Sequence, residues 1–186
     1  TLKDTISTDS FTALLNGYLK TTDIKTIDAG VFKACISALE NIGNDESFKI
    51  LYGFLNDSSY SAYKKEIEKT TVALIPNAMN EVIAQIKNSD MKKMTAIFNL
   101  AKENSQKKKK NLCEISENVL NESILLVDDS SGNSTENITL QISALEILSE
   151  NRWTRASAPA LSYFDLSKKL YDKSKMSGEQ FKTVIT

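Results

Sequence analysis

The chain has no histidine in its 186 residues. Histidine is the commonest general acid–base and the commonest metal ligand, so much of ordinary enzyme chemistry is unavailable here. Ser-His-Asp and Cys-His nucleophile arrangements cannot be assembled within this chain. The two cysteines, Cys35 and Cys113, are too few for a disulfide framework or a zinc site of Cys/His type. Each stands among apolar helical positions and reads as a small buried hydrophobe; a bridge between them is the alternative. Neither Gly-x-x-x-x-Gly-Lys-Ser/Thr nor Gly-x-Gly-x-x-Gly occurs. No cofactor and no catalytic residue is implied, and the chain reads as a non-enzyme.

Glycine (6) and proline (2) are scarce. Sandwiches and barrels consume both in turns, so their scarcity favours long helices. Charge of one sign is lacking too: the net charge is −1, giving no global pull toward nucleic acid or membrane. The longest strictly aliphatic run, Ile124-Leu125-Leu126-Val127, is far short of the roughly 20 residues that span a bilayer. No leader-type apolar segment is visible. The cytoplasm is favoured, with a removed leader left open, and the chain reads as a piece of a longer protein.

What is present is apolar residues at helical spacing. Ser10 is placed to cap a first helix carrying Phe11, Leu14, Leu15, Tyr18 and Leu19. Asp28 is a good N-cap for a helix with Val31, Phe32, Cys35, Ile36, Leu39 and Ile42 on one stripe. Gly43 suits the left-handed position after it. Ser47 can cap the next helix, with Phe48, Leu51, Phe54 and Leu55. Ser59 opens a fourth helix that should end or kink before Pro76, and Met79, Val82, Ile83 and Ile86 form its partner. Ser89 or Asp90 opens another, paired with one starting near Ser105. Thr135 opens the last pair, whose second helix is capped by Ser157, tolerates Pro159 in its first turn, and carries Leu161, Phe164 and Tyr171.

The pentapeptide Ile36-Ser37-Ala38-Leu39-Glu40 returns unchanged as Ile142-Ser143-Ala144-Leu145-Glu146. Self-similarity is the mark of repeat architectures. Hairpins are expected at roughly 28–57, 59–88, 90–127 and 136–172. The first three start at even intervals, and the turn-forming segment Asp128–Ser134 stretches the last. Phe32 to Asn44, with its Ala-Leu core and Ile-Gly turn, resembles the first helix and turn of a HEAT repeat. The resemblance to the HEAT/armadillo family implies an all-α fold: a right-handed α-solenoid of about four stacked hairpins plus an N-terminal helix, in one domain over 1–186. It also implies a protein-binding scaffold. A compact irregular helical bundle is the alternative.

Two segments stand out as contact candidates. Asn151-Arg152-Trp153-Thr154-Arg155 holds the only tryptophan and both arginines. Trp and Arg are enriched at binding hot spots, although Trp153 with a guanidinium stacked on it would also close a hairpin end. Lys107, Lys108, Lys109 and Lys110 form the densest charge run. They suit an anionic partner, yet on a helix they point around most of its circumference. These residues carry the alternative reading of a nucleic-acid-binding helical-repeat protein. The pairs Glu66/Glu68 and Glu114/Glu117 read as solvated outer faces. Asp128 and Asp129 do not meet the EF-hand order of ligands. A protein or peptide partner is expected, and no membrane span.

Overall fold

A computed structural model describes residues 5–21, 26–103, 109–127 and 133–185, with backbone alone for 5–9. Every element among the described residues is helical, and the fold class is all-α. Contacts divide the chain into two compact units, 1–82 and 83–186. Among the described residues no helix is long and apolar enough to cross a membrane.

The first unit contains α1 (Thr5–Thr21), α2 (Ala29–Ile42), α3 (Asp45–Leu55), a 3-10 stretch (Ser58–Tyr63), α4 (Lys64–Leu74), a second 3-10 stretch (Ile75–Asn77) and the start of α5 (Met79–Lys87). Its helix ends follow local chemistry. The Asp28 carboxylate accepts from the N–H groups of Gly30 (2.8 Å) and Val31 (3.1 Å), two donors that the first turn leaves unpaired. Gly43 takes φ 67° and returns its N–H to the Leu39 carbonyl at 3.1 Å. A Cβ there would stand 3.3 Å from the Glu40 carbonyl oxygen. Pro76 sits just past the end of α4, in the 3-10 stretch.

Several caps differ from the sequence expectation, Ser157 among them: it is the first residue of the helix Ser157–Asp172, which has no side-chain cap. α1 begins at Thr5, so Ser10 is inside the helix. Asn44, not Ser47, caps α3: its side chain accepts from the Ser47 N–H at 2.8 Å, and Ser47 itself is buried. Asn44 lies three residues before Ser47, the spacing at which a side-chain oxygen reaches an unpaired N–H.

Aromatic rings fill the first core. Phe32 meets Tyr63 at 4.3 Å and Tyr60 at 5.9 Å between centroids, and Phe54 meets Tyr60 at 4.3 Å. The Tyr60 hydroxyl donates to the Leu19 carbonyl at 3.2 Å, tying the 3-10 stretch to α1. Burial, aided by the Asp57 charge, raises the Tyr60 pKa. α1 turns Thr12, Leu15 and Leu19 inward and leaves Phe11, Leu14 and Tyr18 exposed. The five apolar residues expected on one face are therefore split between core and solvent. They span too wide an arc of the helix for a single contact to cover.

The second unit holds the rest of α5, then α6 (Met91–Glu103), α7 (Lys109–Leu125), α8 (Thr135–Glu150), a 3-10 turn (Thr154–Ala156), α9 (Ser157–Asp172) and α10 (Gly178–Ile185). The Asp90 side chain accepts from the Lys93 N–H at 2.8 Å and opens α6; Ser134 caps α8. The expected helix start at Ser105 and the Asp128–Gly132 part of the loop lie outside the described residues. α7 is the central element, packed against α6, α8 and α9. It buries Leu112, Ile115, Val119 and Leu120 together with Ser116 and Ser123, whose hydroxyls donate to carbonyls of their own helix.

Both copies of the repeated pentapeptide are helical, in α2 and α8. Their packing differs. Ile36 and Leu39 are buried, whereas Ile142 and Leu145 are only partly so; Ala144 is buried where Ala38 is not. The same five residues present rotated faces to different neighbours, α1, α3 and α4 in one case and α7 and α10 in the other. Cys35 and Cys113 are both free and buried, and burial raises both thiol pKa values.

Candidate functional site

An open groove of about 760 Å³ lies at the α8–α9 turn of the second unit. Its apolar wall includes Ile142, Leu145 and Leu148 from α8, Ala156 and Ala160 at the start of α9, and Val184 and Ile185 from α10. Glu146, Glu150 and Arg152 supply charge, and Trp153 lines it as well.

The turn is built by a Schellman closure of α8. The Arg152 N–H bonds the Ser149 carbonyl (2.9 Å) and the Trp153 N–H bonds the Leu148 carbonyl (2.9 Å). That pattern requires a left-handed residue at Arg152, and its φ is 51°. The hydrophobic contact typical of the motif joins the residues at the Trp153 and Leu148 positions, and both line the groove. α9 closes the same way: Ser174 (φ 58°) bonds Tyr171, and Lys175 bonds Leu170. A left-handed side-chain-bearing residue costs roughly 1–2 kcal/mol relative to the right-handed form. Neither position has the glycine that relieves this at Gly43.

The sequence-predicted residues separate into three groups. Trp153 is half-buried, and its Nε1–H donates to Glu117 Oε2 at 2.7 Å. Arg155 reaches the same oxygen at 3.6 Å and lies 5.4 Å over the Trp153 ring. These two side chains therefore fasten the turn to α7. Arg152 is exposed on the groove, and among the described residues no carboxylate forms an ion pair with it. Lys109 and Lys110 are exposed at the first turn of α7, while Lys107 and Lys108 lie outside the described residues.

Glu117 corrects the sequence reading. It is not a solvated outer carboxylate: its side chain is 14% exposed and holds the turn. No local pattern announces it, because its partners lie 36 and 38 residues downstream. Glu66, by contrast, is partly exposed and pairs with Lys33 at 3.9 Å. The α9 stripe also needs correction. Leu161, Phe164 and Tyr171 are exposed, and the helix instead buries Pro159, Tyr163, Ser167 and Leu170. Burial pushes the Tyr163 hydroxyl up to about 12, with Ser167 pulling the other way.

Chemically the groove offers an apolar wall, two carboxylates and one unpaired guanidinium. Among the described residues no cluster of three acidic or cysteine side chains is placed to hold a metal ion. No protein-family model matches this chain, and no curated protein and no solved structure matches it.

Proposed function

We propose that the chain is a non-enzymatic, HEAT-like helical-repeat scaffold that binds a protein partner through the groove at the α8–α9 turn. One observation carries this reading: a half-buried tryptophan fastened to α7 stands in the wall of an open groove of mixed apolar and charged lining, beside an exposed arginine that forms no ion pair among the described residues. Anchored aromatic and arginine side chains in desolvated pockets dominate binding energy at interfaces. A succession of helices with no strand among the described residues is compatible with a repeat scaffold, and the right-handed solenoid is proposed on the sequence resemblance. Small-angle scattering from the full chain tests that arrangement, since a spherical profile would replace it with a compact bundle.

The binding reading is tested with Trp153→Ala and Arg152→Glu in the full chain. A partner captured by the wild type, then purified, should bind either variant about tenfold or more weakly. Its affinity should change little with salt. Equal affinity for all three chains, or turnover of a substrate by the purified protein, would overturn the proposal. The nucleic-acid alternative would use Lys107, Lys108, Lys109 and Lys110 with Arg152, Trp153 and Arg155; of these, the Glu117 carboxylate engages Trp153 and Arg155.

A further inference from the structure

A polar cavity of about 340 Å³ lies in the first unit, between α1, α3 and the Ser58–Tyr63 stretch. Its floor is apolar: Ile50 and Phe54 of α3 and the Tyr60 ring all line it and all are buried. Asn16 and Lys20, one turn apart on α1, form one wall. Glu46 and Lys49 on α3, with Asp57 just beyond that helix, carry the charges opposite.

Two features of this cavity serve no contact within the chain. Asn16 Oδ1 is buried and has no hydrogen-bond partner among the described residues. A buried amide oxygen left unmet is costly, and native folds keep few of them. Gly53, also in the lining, lies in the last turn of α3 and does not take a left-handed φ, so no backbone requirement selects glycine there. Beyond its own stretch of helix, a Cβ at Gly53 would meet nothing within 4 Å, so packing does not select it either. What glycine does at this position is keep the cavity open.

The charges come in both signs. Lys20 and Lys49 present ammonium groups, Glu46 and Asp57 carboxylates, and the rim is neutral in sum. They do little for one another. Glu46 and Lys49 stand 3.9 Å apart, beyond hydrogen-bond distance, with both side chains about half exposed. Among the described residues Lys20 forms no ion pair. Asp57 Oδ1 accepts from the Ser59 N–H at 2.8 Å, which holds this carboxyl below its ordinary pKa and therefore charged at neutral pH.

A rim of both signs favours neither a simple anion nor a simple cation; it suits a molecule that carries both charges. An apolar floor with a few polar groups above it is the make-up of small-ligand sites, and the volume lies at the low end of their range, about 300–1,000 Å³. We propose that this cavity binds a free α-amino acid with an aliphatic side chain. Lys20 and Lys49 take the carboxylate. Glu46 and Asp57 take the ammonium group, with Asn16 Oδ1 as its further acceptor. The aliphatic side chain lies on the Ile50–Phe54 floor. The site is separate from the groove of the second unit and does not depend on it.

The probe is L-leucine, titrated into the full chain and followed by backbone amide shifts. Saturable shifts in α1 and α3 are expected, with a Kd of about 1 mM or tighter. 4-Methylpentanoate lacks the ammonium group and 3-methylbutylamine lacks the carboxylate; each should bind about tenfold or more weakly. Gly53→Leu fills the cavity and keeps every charge, so it should lower leucine affinity about tenfold or more. Asn16→Ala should weaken leucine and 3-methylbutylamine alike and leave 4-methylpentanoate unchanged, a pattern that a general loosening of the fold would not give. Both substitutions raise helix propensity, so the fold is kept. The proposal is overturned by the absence of saturable shifts in the first unit, by equal affinity for leucine and either singly charged analogue, or by unchanged leucine affinity in Gly53→Leu.

Discussion

The two units spend their aromatic residues differently. In residues 1–82, Phe32, Phe48, Tyr52, Phe54 and Tyr60 are buried in the core, Tyr63 is partly so, and Phe11 and Tyr18 lie exposed on α1. In residues 83–186, Phe98 and Tyr163 are inside, while Phe164 and Tyr171 lie exposed on α9 and Trp153 and Phe181 are partly so. The second core is closed mainly with aliphatics, while small polar residues are buried in both units, Thr12, Ser47, Thr70 and Thr71 in the first and Ser116, Ser123 and Ser167 in the second. Rings kept out of a core are available for contact, and in the second unit Trp153 lines the groove at the α8–α9 turn.

This contrast can be broken most strongly at Phe32. It has no exposed surface and touches two other rings. Phe32→Ala should cost about 3–5 kcal/mol, seen as a lower urea midpoint. Hydrogen exchange should show the loss in α2–α4 while α7–α9 keep their protection; uniform loss across both units would refute the division.

A smaller effect separates the buried tyrosines. With a native pKa raised to about 12, Tyr163 stays protonated in the folded chain after its unfolded counterpart ionises near 10. Its contribution is therefore intact below pH ~10 and declines as pH rises from about 10 to 12, by roughly 2–3 kcal/mol. Tyr163→Phe should flatten the alkaline limb of a stability profile. An unchanged slope would mean that other groups govern it.

Next is the clasp of the turn. Glu117→Ala should cost about 1–2 kcal/mol, since it removes the acceptor of the Trp153 N–H. It should also shift tryptophan emission to the red. Glu117→Gln keeps an acceptor and loses only the partly exposed Arg155 pair, so its effect should stay within about 1 kcal/mol.

The smallest test compares caps of opposite design. Gly43→Ala places a side chain at φ 67° and should destabilise by about 1–2 kcal/mol, whereas Arg152→Gly relieves φ 51° and should stabilise by up to about 1 kcal/mol. If Arg152→Gly also weakens partner binding, the strain at that residue is retained for contact. Destabilisation by Arg152→Gly would show instead that its side chain supports the turn.

Much of the helical layout is legible in the chain. Asp28, Gly43, Pro76 and Asp90 mark helix ends because capping links residues two to four apart. The faces are less legible. On α1 and α9 the apolar residues cover so broad an arc that spacing alone gives no phase, and Leu14 and Leu161 are left outside while Thr12 and Ser167 are buried. Of the site, Arg152, Trp153 and Arg155 are visible by composition, but Glu117 is not.

The amino-acid order by itself determined that this protein is helical, and where several of its helices begin and end, since those choices are made within one turn of backbone. Tertiary structure alone decided which flank each helix hides and which carboxylate clasps the tryptophan. It also turned two identical pentapeptides to different neighbours. Those outcomes depend on contacts between residues tens of positions apart, where burial against a particular partner outweighs any preference of the local chain.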